Sequence, residues 1–208
     1  IMARLTKSQV SRWASNPIET QKKQLNYLIK NALNTSFGQA HSFSKIKNYD
    51  DFKNHIPVRD YEGLREYFEQ IKEGKKNVLW PGKPLYLAVT SGTTSGSKYI
   101  PITKQSLPNH LNGAKIALLM YVAETGKVDF VNGKFIFIQG SPVLSKISGI
   151  LTGRLSGISA HHIPFYMKKN MLPSWSTNII EEWENKIESI VKETMEANMT
   201  IISGIPSW

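Results

Sequence analysis

The stretch Leu85-Tyr-Leu-Ala-Val-Thr90-Ser-Gly-Thr-Thr-Ser-Gly-Ser-Lys98-Tyr-Ile-Pro-Ile-Thr103 joins two apolar runs through small, hydroxylated residues and one lysine. Leu85–Val89 predicts a buried strand and Tyr99–Thr103 a second short extended segment. The turn between them places Thr90, Ser91, Gly92, Thr93, Thr94, Ser95, Gly96 and Lys98 at one point of the fold. Backbone N–H groups and hydroxyls gathered in such a turn form a concave surface suited to a phosphate chain. Glycine lets the backbone approach the oxygens without an intervening Cβ, and Lys98 supplies a point charge.

The turn matches neither common nucleotide loop. Gly92 and Gly96 enclose three residues where a P-loop needs four, and Lys98 is followed by Tyr99 rather than Ser or Thr. No G-x-G-x-x-G occurs, so a Rossmann site has no support. Spacing alone leaves two readings open: a phosphate loop, or an ordinary Gly/Ser hairpin turn.

The 208 residues suffice for one large domain or two small ones, and the 40% hydrophobic content is that of a globular chain. There is no cysteine. Disulfides, thiolate metal sites and a cysteine nucleophile are therefore excluded, and the composition fits a cytoplasmic protein. The longest apolar run, Ala114 to Ala123, is about half a membrane span. A net charge of +10 favours a polyanionic ligand. The lysines are scattered, however, with no block that alternates with aromatics as a single-strand groove would.

Periodicity predicts helices over Glu19–Asn34 (stopped at Gly38), from the Asn48 cap to before Pro57, and over Asp60–Glu73. Further helices are expected over Ser106–Ala123 and Ser176–Asn198. The last has the stripe Ile179/Ile180, Trp183, Ile187, Ile190/Val191 and Met195 as its core face. Lys134–Gln139 and Met199–Ser203 read as strands, and Ser141–Pro164 as loops and short elements. Alternating strands and helices predict an α/β fold: a central, largely parallel sheet flanked by helices. A strand followed directly by the chain end at Trp208 points to a fragment.

Other candidates are weaker. His161 and His162, adjacent in an extended segment, point to opposite faces and do not share a metal easily. No metal-ligand spacing and no G-x-S-x-G elbow is present, so no metal site is expected. Gly140-Ser-Pro and Gly153-Arg-Leu-Ser-Gly157 could border a ligand at strand ends, although plain turn chemistry accounts for either one alone.

Thr90-Ser-Gly-Thr-Thr-Ser-Gly with Lys98 resembles the phosphate-binding signature of the acyl-adenylate-forming superfamily, which includes luciferase-like and acyl-CoA-synthetase-like enzymes. The surrounding residues resemble the auxin-responsive acyl-acid amido synthetase family. The similar stretches run in order from Gln24-Leu25 through Asn34-Thr-Ser-Phe-Gly38, and from Asp51-Phe52 through Ile56-Pro-Val58 to Tyr61. Gly74 to Asn77-Val-Leu, Trp80-Pro-Gly82, Lys98-Tyr-Ile-Pro101 and Gly204-Ile-Pro-Ser-Trp208 continue them.

The resemblance implies ATP and Mg2+, a carboxylic acid activated as its adenylate, and an amino acid acceptor. No nucleic acid and no membrane are implied. Ser91, Thr93, Thr94 and the backbone at Gly92 and Gly96 would hold the triphosphate, with Lys98 neutralising charge. The helix Leu107–Val122 corresponds to a region that helps line the acyl pocket. Residues 1–208 would form the N-terminal part of the large adenylating domain, and alone would not turn over. Two departures stand out: Gly96 and Lys98 are one residue closer than in many members, and the later ribose and aromatic-Ser-Glu motifs are absent. The alternatives are an acyl-CoA ligase, a basic nucleic-acid-binding module, or a truncated domain kept for protein contacts.

Overall fold

The computed structural model describes residues 1–90 and 96–204. Most of the predicted turn, Ser91 to Ser95, lies outside the described residues, but both strands that carry it lie within. Strand β1 (Tyr86–Thr90) pairs antiparallel with β2 (Lys98–Ile102), in a register that sets Thr90 opposite Lys98.

Five helices precede the hairpin: α1 (Met2–Ser15), α2 (Pro17–Ala32), α3 (Ser36–Ala40), α4 (Tyr49–His55) and α5 (Arg65–Lys72). The first was not apparent from the sequence, and none of its residues is buried. Asn48 caps α4 as expected, its side chain accepting from the Asp51 N–H at 2.9 Å. Gly38 is not the stop of α2. It lies inside α3, where a Cβ would overlap the Ala32 carbonyl oxygen, so its small size lets α3 pack on the end of α2. Thr35 performs the capping, accepting from the Gly38 N–H at 3.0 Å.

After β2 come α6 (Leu107–Thr125), β3 (Lys134–Phe137), β4 (Ser145–Ile147), β5 (Ile150–Arg154) and α7 (Leu155–Ala160). Then follow α8 (Phe165–Lys168), β6 (Met171–Leu172), α9 (Trp175–Asn178), α10 (Trp183–Thr194) and β7 (Met199–Ser203). The α/β character with flanking helices is as expected, but the strands divide between two sheets, ordered β2-β1-β5-β4 and β6-β3-β7. Pairing is parallel for β1/β5, β3/β6 and β3/β7, and antiparallel in the two hairpins. Short connections force that orientation. Between β4 and β5, Ser148 and Gly149 both take positive φ (48° and 79°), the pattern of a two-residue type I′ turn.

β1 is covered on both faces. Leu87 joins Ile71, Val78 and Ile150 on one side; Ala88 joins Ile102, Leu107 and Ile158 on the other. A separate cluster of Ile29, Ala32, Phe43 and Ile46 holds α2 and the segment after α3.

The short elements expected over 141–164 are β4, β5 and α7, with loops between and after them. One expectation is corrected here. The single helix 176–198 is broken after α9, and α10 restarts with the Glu182 carboxylate accepting from the Glu184 and Asn185 N–H groups.

Candidate functional site

The hairpin turn leaves the C-terminal end of β1, beside the C-terminal end of its parallel neighbour β5. Open α/β sheets place ligands outside such strand ends. Thr90 closes β1, exposed and in register with Lys98. Gly96 sits at φ +79° with nothing within 4 Å of the space a Cβ would take. A side chain there would be strained by the backbone rather than by neighbours. Ser91, Gly92, Thr93, Thr94 and Ser95 lie outside the described residues.

Tyr61 anchors the start of β2. Its hydroxyl oxygen accepts from the Tyr99 N–H at 3.0 Å, and its ring stacks on Phe68 with centroids 4.7 Å apart. Lys98 Nζ lies 5.4 Å from the same ring, so the ammonium is steadied at the base of the turn by a cation–π contact. Lys72 makes the equivalent contact with Tyr99 at 4.8 Å. Sequence reasoning did not single out Tyr61 as part of the site; only its place at the end of a family-like stretch hinted at it.

On the other side of β1, Val89 is in register with Arg154. Arg154 belongs to the Gly153–Gly157 segment considered in the sequence. A cleft of about 350 Å³ opens here, walled by Val89, Val143 and Leu144 and edged by Ser141, Ser145 and Arg154. The second glycine segment meets the first at this point. A Cβ on Gly140 would stand 2.6 Å from Arg154 Cδ, and the Gly140 N–H donates to Ser156 Oγ at 3.3 Å. Both glycine segments therefore reach one place.

Lys186 of α10 lies nearby, 5% exposed, and donates to the Asn178 carbonyl at 2.8 Å. Burial, and then the positive charge of Arg154, hold its ammonium below the usual lysine value.

The histidine pair is occupied with packing. His162 Nε2 and the Tyr86 hydroxyl are 3.0 Å apart, while His161 Nε2 donates to the Pro142 carbonyl at 2.8 Å and its ring meets Trp175 edge-on. Among the described residues no group of three His, Cys, Asp or Glu side chains could hold a metal ion. Among the described helices none is long and apolar enough to cross a membrane.

Comparison with known proteins places these features in a family. The model of the GH3 family N-terminal domain matches residues 6–179. The chain is 27% identical over 150 residues to the indole-3-acetic acid-amido synthetase GH3.5 of Arabidopsis thaliana, covering 70% of this chain and 24% of that protein. It is 34% identical over 74 residues to the indole-3-acetic acid-amido synthetase GH3.15 of the same plant, covering 34% of this chain and 12% of that protein. The solved AtGH3.15 acyl acid amido synthetase in complex with 2,4-DB shares the fold, with a TM-score of 0.69 at 20% identity over 81% of this chain and 29% of that one. The chain thus spans about a quarter of the length of the curated relative it matches most extensively here. The match runs from α1 to α9 and contains both the turn and the Arg154 cleft, and the chain belongs to the GH3 family.

Proposed function

We propose that this protein takes part in the ATP-dependent activation of a carboxylic acid, followed by transfer of the acyl group to the amine of an amino acid. The observation that carries this reading is the Thr90–Lys98 turn, seated at the ends of two parallel strands within residues matched by the GH3 N-terminal domain. The relatives' names, as acyl acid or indole-3-acetic acid amido synthetases, support the reaction class.

In the first step a carboxylate oxygen bonds to the α-phosphorus of ATP and pyrophosphate leaves. In the second, the amine bonds to the acyl carbon, AMP leaves and a proton is released. Magnesium on the phosphates would supply charge neutralisation. The chain's own contribution is positioning and further neutralisation. Ser91, Thr93 and Thr94 donate toward the phosphates, Lys98 adds a cation, and Tyr61 holds the β2 side of the turn. A carboxylate is already nucleophilic at neutral pH, so no general base is required for the first step.

The test is acid-dependent exchange of labelled pyrophosphate into ATP, using the protein at its full natural length and a panel of aromatic and aliphatic acids. The Ser91→Ala/Thr93→Ala double variant is expected to lose about 10²-fold or more, the scale of removing preorganised donors from a developing charge. Exchange that survives unchanged in the variant would overturn the role of the turn. Transfer to coenzyme A instead of an amine would move the protein to the neighbouring ligase class.

A further inference from the structure

A second cavity lies at the far end of the hairpin from the turn. It measures about 290 Å³ and opens between α5, the segment 78–84 that leads into β1, and the end of β2. Thr103, on its wall, follows Lys98 by five residues, so at about 3.4 Å per residue the cavity stands about 17 Å from the base of the turn. Most of the wall is apolar: Phe68 of α5, Trp80 and Pro81 of the segment, and Ile100 and Pro101 of β2.

The hollow is built into the backbone. The loop 77–82 closes on itself, the Asn77 N–H donating to the Gly82 carbonyl at 2.9 Å and the Gly82 N–H to Asn77 Oδ1 at 2.6 Å. Asn77 and Gly82 both hold positive φ (57° and 82°), and Pro81 and Pro84 fix the chain on either side of Gly82. Opposite, β2 is the outer strand of its sheet, where Pro101 removes no ladder bond. Walls held in this way resist collapse onto the space between them. An apolar cavity of about 150 Å³ holds one benzene ring, so this one has room for a ring and a short chain.

Thr103 and Ser106 on the wall are engaged with each other. The Thr103 N–H donates to Ser106 Oγ at 2.9 Å, and the Ser106 N–H to Thr103 Oγ1 at 3.0 Å. Among the described residues Lys75 is the one charged member of the wall, and its Nζ donates to the neutral Gln70 Oε1 at 2.7 Å. Lys72, Lys76 and Lys83 lie nearby in sequence against the single acid Glu73, and Lys72 is already paired with Glu69. Lys83 Nζ stands 3.4 Å from the space a Gly74 Cβ would take, beside Lys75, and donates to the Ser148 carbonyl at 2.8 Å. An apolar interior with a cationic rim complements a small amphiphilic anion.

We propose that this cavity binds a small monocarboxylic acid with a compact apolar body, at a site separate from the turn and independent of any nucleotide. The body packs against Trp80 and the prolines, whose flat faces suit a ring. The carboxylate meets Lys75 at the rim in a charge-assisted hydrogen bond, which fixes the end that faces outward.

The test uses the protein at its full natural length with isoleucine methyl groups labelled for NMR. The probes are 3-phenylpropionate and its uncharged counterpart, 3-phenylpropionamide. Ile71 and Ile100, both on the cavity wall, are the reporters. Saturable shifts of both signals are expected with the acid, and an affinity for the amide about three- to tenfold weaker, the scale of one charge-assisted hydrogen bond at an exposed rim. Lys75→Gln is expected to erase that preference. Ile100→Trp, at a position 36% exposed and so able to take a larger side chain, is expected to fill the cavity and abolish the shift at Ile71.

Ile71 and Ile100 signals that stay unmoved at millimolar acid, or shifts confined to other isoleucines, overturn the proposal. Equal affinity for acid and amide overturns it as well, as does a preference that survives Lys75→Gln. The comparison of acid with amide on wild-type protein stands even if either variant fails to fold.

Discussion

At Gly157 two residue-scale effects oppose one another. Alanine is the better helix former by about 1 kcal/mol, which alone would make Gly157→Ala stabilising within α7. A Cβ there, however, would overlap the Ser141 carbonyl oxygen and stand 3.2 Å from Pro142 Cα, both on backbone that cannot rotate away. Overpacking of that kind costs about 1–3 kcal/mol. Gly157→Ala is therefore expected to destabilise the protein by up to about 2 kcal/mol net and to push the 141–144 segment into the cleft. Chemical denaturation and ligand affinity, measured on the same variant, would check both effects. The sequence presented Gly153 and Gly157 as turn residues. Their close contacts, and the convergence of Gly140 on Arg154, became legible only once β5 was placed beside β1.

Among the elements, α10 departs most from its sequence pattern. Its apolar stripe predicts the core face, yet Trp183, Ile187, Val191 and Met195 are all exposed, Met195 by 77%. The packed side holds Lys186 and Glu193 and, of the stripe within α10, the half-buried Ile190. Glu193 accepts from the Ser174 N–H at 2.6 Å, from Ser174 Oγ at 2.6 Å and from Thr177 Oγ1, tying α10 to the start of α9. Burial pushes its carboxyl upward, but these hydrogen bonds outweigh burial and hold it below the usual glutamate value. A folded pKa below the unfolded one means the contribution is complete above the unfolded value, about 4.3. It is lost as the pH falls through the folded value. Glu193→Gln is expected to cost about 2 kcal/mol at pH 7, the scale of a hydrogen bond to a charged group. The difference from wild type should shrink steadily in denaturation midpoints measured from pH 6 down to pH 3. A difference that stays constant over that range would show that the charge plays no part.

At the scale of the whole molecule, β1 is where stability and the proposed function coincide. Leu87 is 1% exposed and packs between α5 and β5, while the same strand delivers Thr90 to the turn. Leu87→Ala should cost about 2–5 kcal/mol, the range for a leucine truncated in a closed core. It should lower the urea midpoint without changing the slope, since the surface exposed on unfolding is nearly unchanged. If the hairpin were peripheral to the fold, the loss would fall well below that range.

The local features were determined by the sequence alone: the two strands of the hairpin, the cap at Asn48, and the placing of Thr90 and Lys98 where the two strands meet. Each depends on residues within a few positions of one another, where propensity, period and turn chemistry act directly. The tertiary structure decided the partners. It split the strands into two sheets, chose β5 as the parallel neighbour of β1, turned Trp183, Ile187 and Val191 of α10 outward and set Arg154 level with Val89 at the end of β1. Those outcomes depend on pairing and burial between segments far apart in the chain, and a buried five-residue strand such as Ile150–Arg154 carries too little periodicity to announce its neighbour.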